Sequence, residues 1–275
     1  MTKFAANLSM MFTEWAFLDR FGAAADAGFK AVEFLFPYAF APDEIAKRLD
    51  RHGLTQALFN LPPGDWDEGE RGLAALPDRA EDFQAAVLQA IPYAKATGVK
   101  RLHMMSGYAD RADPAAVEAY RSALRFACEK VAPLGIEILI EPINGRDMPG
   151  YFVNDFAFAV DLISSMDIPN LKLQFDIYHR QILHGDVKRS LEALLPVIGH
   201  VQVASVPMRN EPGSGELNDA HIFDHLDALG YDGFVGCEYR PAKGTLAGLT
   251  WLIRQTARHG MASESSNSSS SAKVE

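Results

Sequence analysis

The sequence predicts a (β/α)8 TIM barrel, a single α/β domain over residues 1–260, and three observations carry that reading. Short strand-like runs alternate eight times with helix-like stretches. Strands joined through helices run parallel, because the helix makes the return journey across the sheet. Eight such units in a chain of 275 residues match the usual length of a closed barrel, roughly 250 residues. An open doubly wound sheet is the alternative, but no Gly-rich dinucleotide fingerprint follows the first strand.

The predicted strands, in order, are FAANLSM (4–10), AVEFLF (31–36), TQALFN (55–60), KRLHMMS (100–106), EILIE (137–141), LKLQFD (171–176), HVQVA (200–204) and FVGCEY (234–239). Each is a short, largely apolar run, too short for a typical helix. Amphipathic stretches lie between them, such as WAFLDRFGAAADAG and PAAVEAYRSALRFACEKVAPLG. Helix starts are marked by Asp113-Pro114 and Ala41-Pro42. Gly28, Gly53, Gly98, Gly135, Gly199 and Gly230 precede strands and are expected as helix C-caps. Two βα loops are long, PPGDWDEGERGLAALPD (62–78) after strand three and SVPMRNEPGSGELND (205–219) after strand seven. Both fall on the C-terminal rim, where barrel enzymes build their sites. The Ser-rich tail 261–275 has little to bury and is expected to be disordered.

Composition narrows the function. The formal net charge of -10 argues against nucleic acid as a partner, since phosphate binding needs clustered Lys and Arg. Cys128 and Cys237 are too few for a disulfide framework, which suits a reducing cytoplasm. No run approaches the roughly 20 apolar residues of a membrane span. The expected partner is therefore a small molecule, with neither nucleic acid nor membrane, and a homo-oligomer is compatible.

Glu141, Asp176, Gln202 and Glu238 sit at or near the ends of strands five to eight. In a closed barrel these four side chains gather at one rim. Three carboxylates in a partly dry pocket require a compensating positive charge, and one divalent ion is the simplest source. An all-oxygen donor set suits Mg2+ or Mn2+ better than zinc. Two glutamates flanking a substrate suit proton shuttling between adjacent carbons. Three carboxylates and one ion leave the site near -1, so an anionic substrate needs its own cation. Arg209, Arg240, Arg71 and His179 are the candidates for that substrate contact. A single acid at a strand end is commonly a solvated rim group, and Glu33 is read as structural. His103 either faces the pocket or is a satisfied barrel histidine. His200 is not expected to ligate, and His52, His221, His225 and His259 are expected to be solvated.

The motifs FAANLSMMF (4–12), VEFLFPY (32–38), LFNLPPGDWDEGERG (58–72), LIEPIN (139–144), LQFDIYH (173–179), EPGSGELN (211–218) and GCEYRP (236–241) resemble the hydroxypyruvate isomerase family of the xylose-isomerase-like barrel superfamily. The resemblance runs from about residue 3 to about residue 258. It implies reversible isomerisation of hydroxypyruvate and tartronate semialdehyde (2-hydroxy-3-oxopropanoate). It implies that Glu141 and Glu238 are the proton donor and acceptor, and that Glu141, Asp176, Gln202 and Glu238 bind one divalent ion. A sister group that isomerises 2-oxo-tetronates shares much of the pattern. GDWDEGERG and EPINGRDMPGY favour the hydroxypyruvate group, whereas VASVPMRNEP after strand seven is less usual for it.

Overall fold

The computed structural model describes residues 1–257; His259 and the 261–275 tail lie outside the described residues. All eight predicted strands form: β1 (Lys3–Asn7), β2 (Ala31–Phe34), β3 (Thr55–Asn60), β4 (Arg101–His103), β5 (Glu137–Ile140), β6 (Leu171–Asp176), β7 (Ile198–Val203) and β8 (Phe234–Cys237). Every neighbouring pair is parallel, and β8 pairs with β1 to close the barrel. Closure removes both sheet edges, so every strand can be hydrogen-bonded on both sides. Most strands are shorter than the sequence suggested. Met104–Ser106 and Tyr239, for instance, have already left the ladder.

The outer layer is α1 (Arg20–Asp26), α2 (Pro42–His52), α3 (Ala80–Thr97), α4 (Pro114–Val131), α5 (Phe156–Met166), α6 (Ile177–Leu183), α7 (Val187–Leu194), α8 (Asp219–Ala228) and α9 (Thr245–Gly248). α4 shows why these stretches fold as they do. Asp113 accepts the Ala115 N–H at 2.9 Å, Pro114 occupies the first turn, and Tyr120, Leu124, Ala127 and Val131 form one buried stripe. Cys128 packs on that stripe, and Cys237 is buried in the core as strand alternation requires. Gly53 and Gly98 are left-handed helix caps as expected. Gly199 is a correction: it lies inside β7, and an added Cβ would come within 2.6 Å of the Leu139 side chain. Close packing against β5, not capping, is what needs glycine there.

Strand register stacks the barrel interior in layers. Ala5, Ala31 and Ala57 form a small apolar plug with Phe234 packed on it. Ala5 pairs with Ala31, and two residues further along each strand Asn7 pairs with Glu33. Side chains two apart share a face, so the plug is followed by a polar layer. On the other side, Gln174 pairs with His200 and Asp176 with Gln202. The interior thus turns from apolar to polar toward the C-terminal mouth.

Candidate active site at the barrel mouth

Asp176 ends β6, Glu141 directly follows β5 and Glu238 directly follows β8. All three are buried. Asp176 also begins α6, where its Oδ1 accepts the Tyr178 N–H at 2.8 Å. Among the described residues its Oδ2 has no hydrogen-bond partner, and neither has Glu141 Oε1. Bare buried carboxylate oxygens are costly, and the side chains respond by holding protons. Burial, then Glu238 and Asp176, push the Glu141 pKa well above the usual carboxylate range. Burial pushes Asp176 up to about 6 and Glu238 up to about 8, outweighing the nearby Arg209 in both cases.

Arg209 is where its place in the long loop suggested. Its Nη2 donates to Glu238 Oε2 at 2.6 Å and lies 3.7 Å from Asp176 Oδ2, while Nη1 donates to Asp147 Oδ2 at 3.3 Å. The guanidinium also covers the Tyr178 ring, 4.9 Å from its centroid. Burial opposes its charge, but Glu238, Asp176, Glu141 and Asp147 outweigh burial and raise its pKa. The loop backbone is built to deliver it. Arg209 sits at φ 55°, a left-handed conformation held by its N–H to Ser205 O at 2.9 Å and by the Arg240 N–H to Arg209 O at 2.8 Å.

His179 is inside the site too. Its Nε2 lies 3.7 Å from Asp176 Oδ2 and 3.9 Å from Glu141 Oε1. Single ligand atoms of Glu141, Asp176 and His179 fall within 4.8 Å of one another, close enough to share an ion. The tautomer argues against the histidine as a ligand. Its Nδ1 faces the Asn144 backbone N–H at 3.3 Å and the Asn144 amide at 2.6 Å. A backbone N–H can only donate, so Nδ1 accepts and the ring proton sits on Nε2, facing the carboxylates. Burial keeps the ring neutral by lowering its pKa well below the ordinary value. His179 thus presents an N–H to the space beside Asp176 and Glu141. His103 resolves toward the pocket, with Nε2 3.5 Å from Glu141 Oε2 and a pKa lowered to about 3 by burial.

The fit to a divalent ion rests on the donors themselves. Three buried carboxylates, two of them with a bare oxygen, form an oxygen-rich pocket whose one cationic neighbour among the described residues is Arg209. Gln202 is deeper. Its Oε1 accepts from Gln174 at 2.6 Å and its Nε2 donates to Glu33 at 2.8 Å. A carbonyl oxygen has two lone pairs, so Gln202 retains one for a cation.

Two expected substrate contacts are not brought to the carboxylates. Arg71 donates to the Trp66 and Glu70 carbonyls at 2.9 and 2.8 Å and stacks 3.6 Å over Trp66, which itself meets Phe36. It organises the 62–78 loop. Gly72 anchors that loop against the next one: at φ +117° a Cβ would lie 2.3 Å from Met105 O. Arg240 is exposed, and its backbone rather than its side chain supports Arg209. Gln174, Asn144, Asp147 and Tyr178 were not anticipated. Only Gln174 carried a signal, two residues before Asp176 and hence on the same face. The other three come from loop and helix-start positions where no period applies.

The pattern of xylose isomerase-like TIM barrels matches residues 21–255. A 2-oxo-tetronate isomerase from Cupriavidus necator is 54% identical over 256 residues, covering 92% of this chain and 98% of that protein. The hydroxypyruvate isomerase of Escherichia coli K12 is 41% identical over 258 residues, covering 92% and 98%. A crystal structure titled AP endonuclease, family 2, from Brucella melitensis superposes with a TM-score of 0.90 at 49% identity, covering 92% of this chain and 99% of that one. The chain belongs to the xylose isomerase-like TIM barrel family and is an isomerase.

Proposed function

We propose that this isomerase moves the carbonyl between adjacent carbons of a short hydroxy-oxo acid, using Glu141 and Glu238 to move protons between those carbons. The observation that carries the reading is the trio of buried carboxylates facing Arg209 and the Nε2 proton of His179. One glutamate takes the proton from the hydroxyl-bearing carbon, and the other gives a proton to the former carbonyl carbon. The hydroxyl proton passes to the neighbouring oxygen, so the product is an isomer and nothing is oxidised overall. His179 holds a substrate oxygen, and Arg209 holds the carboxylate by charge-assisted hydrogen bonds. Glu141, Asp176, Gln202 and Glu238 would hold one Mg2+ or Mn2+. The chemistry such an ion supplies is positive charge beside the substrate's oxygens, which favours loss of the carbon-bound proton.

Two substrate lengths compete. The first three curated relatives compared, at 54%, 44% and 43% identity, carry the name 2-oxo-tetronate isomerase. The loop motifs GDWDEGERG and EPINGRDMPGY instead favour hydroxypyruvate. We place the four-carbon acid first, because the 54% identity spreads over 256 residues and not over two loops. Hydroxypyruvate with tartronate semialdehyde is the second reading. A DNA-repair role, which the name of the Brucella protein would suggest, is opposed by the net charge of -10. Steady-state assay of the pure protein with each acid, with Mn2+, with Mg2+ and after chelation, decides among these. The expected result is isomerisation that chelation abolishes, with the larger kcat/KM on the 2-oxo-tetronate. Turnover of neither acid overturns the reading, and full activity after exhaustive chelation removes the ion.

A further inference from the structure

A buried chain of hydrogen bonds runs from β2 to the site, and its polarity is set at one end. Glu33 is wholly buried in the barrel interior. Its Oε1 faces Asn7 Nδ2 at 3.0 Å and Gln202 Nε2 at 2.8 Å, and its Oε2 faces His200 Nε2 at 2.7 Å. The Asn7 amide cannot be reversed, because its Oδ1 already accepts the Ser9 N–H at 3.1 Å. Asn7 therefore donates to Glu33 Oε1, which accepts. The Gln202 amide must then turn its NH2 group to Glu33 and its carbonyl oxygen to β6. There Gln174 Nε2 donates to that oxygen at 2.6 Å, and against the burial that raises the Glu141 pKa the neighbouring Gln174 amide acts to lower it. Space for Glu33 is reserved by Gly236, whose added Cβ would lie 2.2 Å from Glu33 Oε2.

We infer that Glu33 is a positioning residue: it orients Gln202, and through Gln202 and Gln174 it fixes the oxygen donors of the site. The inference rests on the reading that Gln202 and Glu141 hold a divalent ion. A Gln at position 33 keeps the volume but can donate as well as accept, so the amide of Gln202 is free to turn its NH2 group toward the ion. Partners that orient a metal's ligands typically contribute ten- to a hundred-fold in affinity.

The test is a double-mutant cycle on Mn2+ binding, by calorimetric titration of the full-length chain. Glu33→Gln is expected to weaken Mn2+ by roughly ten- to a hundred-fold in the wild-type background and by less than about two-fold in a Gln202→Ala background. Simple loss of a negative charge would weaken Mn2+ equally in both backgrounds, and that additive result overturns the inference. So does wild-type affinity in Glu33→Gln. If Glu33→Gln does not fold, Gln174→Met makes the same test, with the same non-additivity expected against Gln202→Ala and additivity again counting against the inference. Absence of saturable Mn2+ binding by the wild-type protein would instead sink the ion itself, and the inference with it.

Discussion

Two polar layers lie inside one barrel, a single strand repeat apart, and they are finished differently. In the lower layer the carboxyl of Glu33 is met by Asn7, His200 and Gln202, all donors. In the mouth layer Glu141 and Asp176 each keep a bare buried oxygen, and Glu238 is met by Arg209. Both layers are buried, so burial alone does not distinguish a site from a scaffold. What does is whether the hydrogen-bonding capacity of the buried charge is used up. Glu33 is satisfied and sets geometry, whereas the mouth carboxylates retain capacity for something the chain itself does not supply.

The contrast is broken most directly at the mouth. Glu141→Gln and Glu238→Gln are each expected to lower kcat by roughly 10²–10⁴-fold, the usual contribution of a general acid or base. Circular dichroism should be unchanged. Turnover within a few-fold of wild type in either variant would remove that glutamate from proton transfer. The effect on stability should run the other way for Glu141→Gln, which should melt higher than wild type without metal at alkaline pH, because a carboxyl with a bare buried oxygen has been neutralised, whereas Glu238→Gln also loses the contact to Arg209.

Arg209→Ala tests the substrate's anionic end. Charge-assisted hydrogen bonds contribute about 1.5–3 kcal/mol, so kcat/KM should fall about ten- to a hundred-fold, chiefly through KM. Unchanged kinetics would leave the carboxylate contact to another group. The same variant should also tighten Mn2+, since Arg209 holds Glu238 and lies near Asp176.

A smaller effect appears in pH dependence. Without metal, Asp176 and Glu238 have folded-state pKa values near 6 and 8, above the ordinary 3.8 and 4.5. Between those limits the folded protein binds more protons than the unfolded chain, so stability falls as pH rises through about 4 to 8. Melting curves of chelated protein should therefore shift down from pH 5 to pH 8, and Mn2+ should reverse much of the loss at pH 8. A melting temperature that rises with pH across this window would show the carboxylates to be ionised and well paired. Glu238→Gln should flatten the upper part of the slope.

The weakest expected effect sharpens the boundary of the site. Arg240→Ala should change kcat/KM by no more than a few-fold, because the exposed residue supports Arg209 through its backbone. A loss comparable to that of Arg209→Ala would bring its side chain to the substrate.

The barrel and its acids were legible in the sequence by itself. Eight alternations of period fix a parallel closed sheet, and period-two alternation puts Glu141, Asp176 and Glu238 on one face of strands that end at one rim. Local chemistry of that kind survives in sequence because it depends on neighbours two to four residues away. The family motifs added the expected roles of those same residues.

Tertiary structure alone decided which cation enters the site and which carboxylate is finished. Arg209, Arg240, Arg71 and His179 all lie in rim segments, and the sequence puts Arg209 first only by its place in the long loop after strand seven. A left-handed backbone at position 209 and a stack on Trp66 send two of those arginines in different directions. Glu33 and Glu141 are likewise both acids in apolar runs. Their difference lies in partners up to 169 residues away in the chain. Hydrogen-bond satisfaction is a property of three-dimensional neighbours, and no period in a sequence encodes who those neighbours are.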